Sequence, residues 1–248
     1  VIIKYMTTLG QVASGKTVTV GNNIDALQQA IQNLKVGNSK LNPPDVQAGS
    51  DILKVIFNVF SKPERGKGLK KAILCSDDSL QKYISGNPFS EKSLPASGGL
   101  IQIAQIYNSG ILEIEKRQID GYYQTFFSEL GQNNSQIPTQ LEVQNDYIKA
   151  QDIVNNKSDN AKSYIDLLQN TAQAHHMLKK EFEGTGKDAI SSSEENELCK
   201  SVLVGRESKL EKSNVSSKLN ITQQQLSKAK VILAKYLNTV NSVTKDSK

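Results

Sequence analysis

From Gly98 to Gly184 the chain reads GGLIQIAQIYNSGILEIEKRQIDGYYQTFFSELGQNNSQIPTQLEVQNDYIKAQDIVNNKSDNAKSYIDLLQNTAQAHHMLKKEFEG. Two helical patterns fill it. In the first, Leu100, Ile103, Tyr107, Ile111, Ile114, Ile119, Tyr122, Phe126 and Leu130 recur at steps of three to five, close to the 3.6-residue period of one helix face. Gly131-Gln132-Asn133-Asn134-Ser135 interrupts it, since glycine and asparagine tolerate the left-handed conformation that ends helices. Pro138 then sits where a helix starts at no hydrogen-bond cost.

The second pattern is a heptad: Tyr147, Val154, Ala161, Leu168, His175, Phe182, with Ile165, Ala172 and Leu178 between. A sustained heptad predicts a coiled-coil-like helix lying along a partner. Each arm would be roughly 45–65 Å long at 1.5 Å per residue, and the short connection makes them antiparallel neighbours. The polar run Asn155–Asn160 is a weak spot, but the heptad phase crosses it unbroken, which predicts a continuous helix.

Working outward, Ile2, Tyr5 or Met6, Leu9 and Val12 form a helical stripe, although Val1-Ile2-Ile3 could equally begin a strand. Thr17–Val20 is β-branched. Asn23 caps a short helix through Leu34, and Asn38–Ser50, with Pro43-Pro44, reads as a loop. Asp51 starts a helix ending before Pro63; Leu69–Leu74 is brief; Ser76 caps another, with Asp77 and Asp78 in its first turn where the macrodipole favours acids. Gly86-Asn87-Pro88 ends it. After Gly184 the chain is serine-rich and looks least ordered, with a short helix at Leu198–Leu203. The last helix, capped by Asn220 or Thr222, carries Leu226, Ala229, Leu233, Tyr236 or Leu237, Val240 and Val243.

The predicted fold is all-α: an elongated bundle on a long antiparallel hairpin (98–184), the C-terminal helix along it, and short N-terminal helices at one end. Residues 1–95 would pack on 96–248 as one continuous domain. The seam carries His175 but no convergent polar set, which places function on the hairpin's surface or at its tip near Gly131–Ser135.

Composition narrows the class. Of 248 residues, 37% are hydrophobic and 6% aromatic, with no tryptophan, a lean core suited to a bundle. Net charge is +5 but uneven: residues 76–198 carry 10 basic and 18 acidic side chains, residues 199–248 carry 10 and 3. The basic tail is expected to fold back on the acidic hairpin. Its lysines are spread singly, without interleaved aromatics, so neither nucleic acid nor anionic lipid is favoured as a partner.

One motif could carry chemistry. Gly10-Gln11-Val12-Ala13-Ser14-Gly15-Lys16-Thr17 matches the phosphate-binding P-loop, in which Gly10 and Gly15 open backbone N–H groups to phosphate, Lys16 meets it and Thr17 holds Mg²⁺. That loop must run straight into a helix, and Thr17-Val18-Thr19-Val20-Gly21 is a poor one. The match is read as coincidence, with a nucleotide-binding protein as the alternative.

Cys75 and Cys199 stand outside any Cys-x-x-Cys pair, leaving two readings: one disulfide, or two buried thiols. His175 and His176 are the sole histidines; adjacent helical residues diverge by about 100° and do not chelate, and His175 reads as a hydrogen-bonded core residue. Glu113 with Glu115, and Asp77 with Asp78, read as solvated faces and caps. No cofactor and no metal are expected. The chain begins with Val1, read as a processed product from which a signal peptide or lipid anchor has been removed. The expectation is a non-enzymatic structural, adhesive or partner-binding protein, secreted or a lipoprotein, extracytoplasmic, with an unidentified protein partner and membrane proximity through such an anchor.

Overall fold

A computed structural model describes residues 2–16, 35–36, 39–40, 42–60, 65–86, 98–130, 137–184, 189–206 and 216–245. The fold is all-α. The one exception among the described residues is a two-residue ribbon, Lys35–Val36 (β1) antiparallel to Ser39–Lys40 (β2). The expected helix 24–34, the β-branched run 17–20 and the hairpin tip Gly131–Ser135 lie outside the described residues.

Helix α1 spans Ile2–Ala13, which removes the strand alternative. Ile2, Tyr5, Met6, Leu9 and Val12 are all buried, one face of a helix turned inward. Helix α2 spans Pro43–Phe60, so the expected loop at 38–50 is corrected. Pro43 and Pro44 occupy a first turn, where no N–H is needed, and the N–H groups of Asp45 and Val46 reach the Asn42 carbonyl.

Helix α3 runs unbroken over Arg65–Ser85. The expected division into two short helices, with Ser76 as a cap, is wrong. Leu69, Ala72, Ile73, Leu74, Leu80, Tyr83 and Ile84 are buried. A helix covered on most sides belongs at the centre of a bundle, and α3 packs against α1, α2 and three helices still to come. The expected organising role of the hairpin passes to α3.

Helix α4 (Gly99–Gln105) continues through a π-helical stretch, Ile106–Leu112, into α5 (Glu113–Leu130). α4 starts hard against the end of α3: a Cβ on Gly86 (φ +77°) would lie 2.4 Å from the Gly98 Cα. Asp45 holds this corner by accepting the Gly99 N–H at 3.0 Å. The π stretch moves the helical phase by one residue. Before it, Leu100 and Ile103 are buried as their spacing predicts. Beyond it, the inward residues are Leu112, Tyr123 and Phe127, one position after Ile111, Tyr122 and Phe126.

Helix α6 spans Ile137–Glu183, 47 residues without a break at 155–160, about 70 Å long. It lies antiparallel to α5: Tyr147 Oη donates to Asp120 at 2.9 Å, Lys157 pairs with Glu115 at 2.7 Å, and Ser158 donates to Asn108 at 2.7 Å.

Helix α7 (Ser192–Leu203) opens with a full capping box between Ser191 and Glu194. This corrects the expectation of poor order at Ser191–Glu195, since Ser-x-x-Glu is itself a helix-start signal; residues 185–188 and 207–215 of that stretch lie outside the described residues. A 3₁₀ turn, Ser216–Leu219, precedes α8 (Gln223–Lys245). Ala229, Leu233, Tyr236 and Val240 of α8 are buried. α8 lies along the C-terminal half of α6 and on α1, with Gln225 and Lys228 both bonded to Glu181. One core cluster draws on α1, α2, α3, α4, α6, α7 and α8.

Candidate functional site

The P-loop residues come first. Gly10 to Ala13 are the last turn of α1, and Gly15 (φ +79°) reverses the chain. The Lys16 N–H reaches the Gln11 carbonyl at 2.9 Å and the Gly15 N–H reaches Val12 at 3.0 Å. That pair of bonds is a Schellman C-cap. The segment therefore presents the carbonyl end of a helix, with its partial negative charge, where a phosphate needs N–H donors. Gly10 faces the core, where an added Cβ would meet Leu237 at 3.3 Å. Thr17 lies outside the described residues.

Cys75 of α3 and Cys199 of α7 form a disulfide, with Cα atoms 4.9 Å apart and a sequence separation of 124. Closing so long a loop removes unfolded-state entropy worth about 5 kcal/mol in the chain-entropy account.

Beside this bridge lies a group of side chains that spacing alone does not reveal. The expectation of a seam without convergent polar groups is wrong, as is the reading of Asp77 as an exposed cap. Tyr5 from α1, Ser76, Asp77 and Gln81 from α3, and His175 and His176 from α6 meet there. Ser76 Oγ donates to the Ala72 carbonyl at 2.7 Å, the usual outlet for a mid-helix serine. Tyr5 Oη makes a short contact with Ser76 Oγ and lies 2.8 Å from His175 Nε2. His175 Nδ1 is 2.7 Å from Asp77 Oδ1, and His176 Nδ1 is 3.3 Å from Oδ2. Gln81 donates to Asp77 at 3.1 Å and to the Ala172 carbonyl at 2.9 Å.

Tyr5 Oη also lies 3.3 Å from the Ala72 carbonyl and Ser76 Oγ 3.3 Å from His175 Nε2, so the two hydroxyls share these acceptors while Nδ1–H of His175 donates to the Asp77 carboxylate. Burial alone would raise the Asp77 carboxyl. Hydrogen bonds and charge from His175, with Gln81 and His176, outweigh it and hold the carboxyl at about 2. Burial pushes the Tyr5 phenol well above its ordinary range.

Ser76, His175 and Asp77 thus stand in the order of an acyl-transfer triad. Yet Tyr5, Ser76 and His175 are 0% exposed and Asp77 2%, and the Ser76 hydroxyl is engaged with Ala72. In this arrangement the cluster ties α1, α3 and α6 together. Lys179 extends the tie outward, at 2.9 Å from Glu195 of α7 and 3.3 Å from Asp78 of α3. Burial opposes its charge, and these carboxylates raise the ammonium above the usual lysine range. No group of three or more His, Cys, Asp or Glu that could hold a metal ion is present among the described residues.

The arm formed by α5 and the first half of α6 is different. Its rings form a ladder, Tyr122–Phe126 outside and Tyr123, Phe127 and Tyr147 between the helices, with centroids 5.2–6.4 Å apart. Tyr122 is 61% exposed, Leu141 57%, Ile153 56% and Ile148 48%. No helix among the described residues is long and apolar enough to cross a membrane. Compared with family models, curated proteins and solved structures, the chain matches none.

Proposed function

We propose that this chain is a non-enzymatic, partner-binding helical-bundle protein of the cell envelope or exterior, and that it engages its partner through the α5–α6 arm. The observation that carries this reading is the exposure of Tyr122, Phe126, Leu141, Ile148 and Ile153 on one two-helix projection. Large side chains left in water in such number mark interaction surfaces, and tyrosine is a favoured anchor at them. The buried histidine cluster and the disulfide suit a rigid base that holds such an arm. The disulfide also fits an oxidising compartment.

The test is site-specific photocrosslinking in cells that make the protein. A photoreactive residue replaces Tyr122 or Ile148 on the arm, or Val231, 69% exposed on α8, as the base control. The expected result is a discrete adduct from the arm positions and none from Val231. Equal labelling from all three, or none from the arm, contradicts the proposal.

A further inference from the structure

A groove of about 670 Å³ lies where the end of α1, the start of α3 and the start of α8 meet. That is within the size range of small-molecule sites. Its apolar walls are Val12, Leu69, Ile221 and Leu226, and Lys67 and Lys230 also line it. Leu69 is 1% exposed, so this wall is part of the core rather than loose surface. Among the described residues no carboxylate lines the groove. Neither lysine forms an ion pair or hydrogen bond among the described residues. The carbonyl end of α1 forms one side and carries at most about half a negative charge, against two ammonium groups. The groove therefore combines apolar walls with an unmet positive charge.

We propose that it binds a free amphipathic anion: a single carboxylate head held by Lys67 and Lys230, with an aliphatic body over the half-buried Ile221 and Leu226. A bare inorganic anion leaves the walls unused. An uncharged alkyl chain leaves the ammonium groups unused. The lining includes no aromatic ring on which a nucleobase could stack.

Dodecanoate, kept below its micellar concentration, is titrated into the full chain at low salt and followed by calorimetry and by amide shifts at Val12 and Leu226. Dodecanol, inorganic phosphate and phosphatidylglycerol vesicles are run beside it. The expected result is one-to-one binding of dodecanoate, weakened about tenfold or more in the double variant Lys67→Gln/Lys230→Gln, with dodecanol and phosphate each at least about tenfold weaker. Lys230 is exposed and Lys67 half-buried, and unchanged thermal unfolding of the variant confirms that its fold is kept. Failure of dodecanoate to bind, binding that ignores the two lysines, or phosphate binding as tightly, overturns the proposal. So does lysine-dependent binding to vesicles with none to monomeric dodecanoate, which would assign the surface to membranes.

Discussion

The two halves of α6 differ in what surrounds them. From Ala161 to Phe182, the heptad residues Ala161, Leu168, His175 and Phe182 are all buried, packed by α3 and α8. From Ile137 to Ile153 the same helix has α5 beside it, and Leu141, Ile148 and Ile153 face water. What differs is the number of neighbours, which turns one continuous pattern into a structural strut at one end and an open surface at the other. Burial decides where a side chain stabilises the fold; the exposed half is the one we propose for partner recognition.

The sharpest way to break this comparison is to cut the base. Reducing the Cys75–Cys199 bridge, or replacing both cysteines with alanine, is expected to lower unfolding free energy by about 5 kcal/mol, read from urea denaturation with and without reductant. A change under about 1 kcal/mol would mean that α3 and α7 are held without it.

Next in size is a matched pair on α6. Leu168→Ala, at a site 3% exposed, is expected to cost about 2–5 kcal/mol. Leu141→Ala, at a site 57% exposed, is expected to stay within about 0.5 kcal/mol. Equal costs would show that the arm is packed after all.

The smallest effect is a dependence on pH. The Asp77 carboxyl is held at about 2 in the folded chain, against an ordinary value near 3.9. Its stabilisation is complete above about pH 4 and is lost as pH falls through 2. A gap of roughly two units corresponds to about 2–3 kcal/mol. Asp77→Asn should remove that portion of the acid dependence, as read from denaturation midpoints between pH 2 and 5.

Some of this was legible in the residues. The α6 heptad crosses Asn155–Asn160 because its phase is carried by Val154 and Ala161, both buried. Gly15 closes α1 in a C-cap, while the run after it, Thr17–Gly21, on which the expectation rested, lies outside the described residues. Other features were hidden. Ser76-Asp77-Asp78 following an apolar run has the local chemistry of a helix start. Only Tyr5 and His175, 71 and 99 residues from Ser76, reveal it as the middle of a central helix. The phase shift at Ile106–Leu112 changed which arm residues face water, and nothing local in Ile106–Leu112 announces a π turn. Long-range partners and helical phase, rather than propensity, set the limit.

Amide hydrogen exchange along α6 tests the central claim most directly. If the base is a packed unit and the arm a two-helix projection, amides between Ala161 and Phe182 should exchange only through global unfolding. Those between Leu141 and Ile153 should open locally at much lower free energy. Uniform protection along all of α6 would contradict the account.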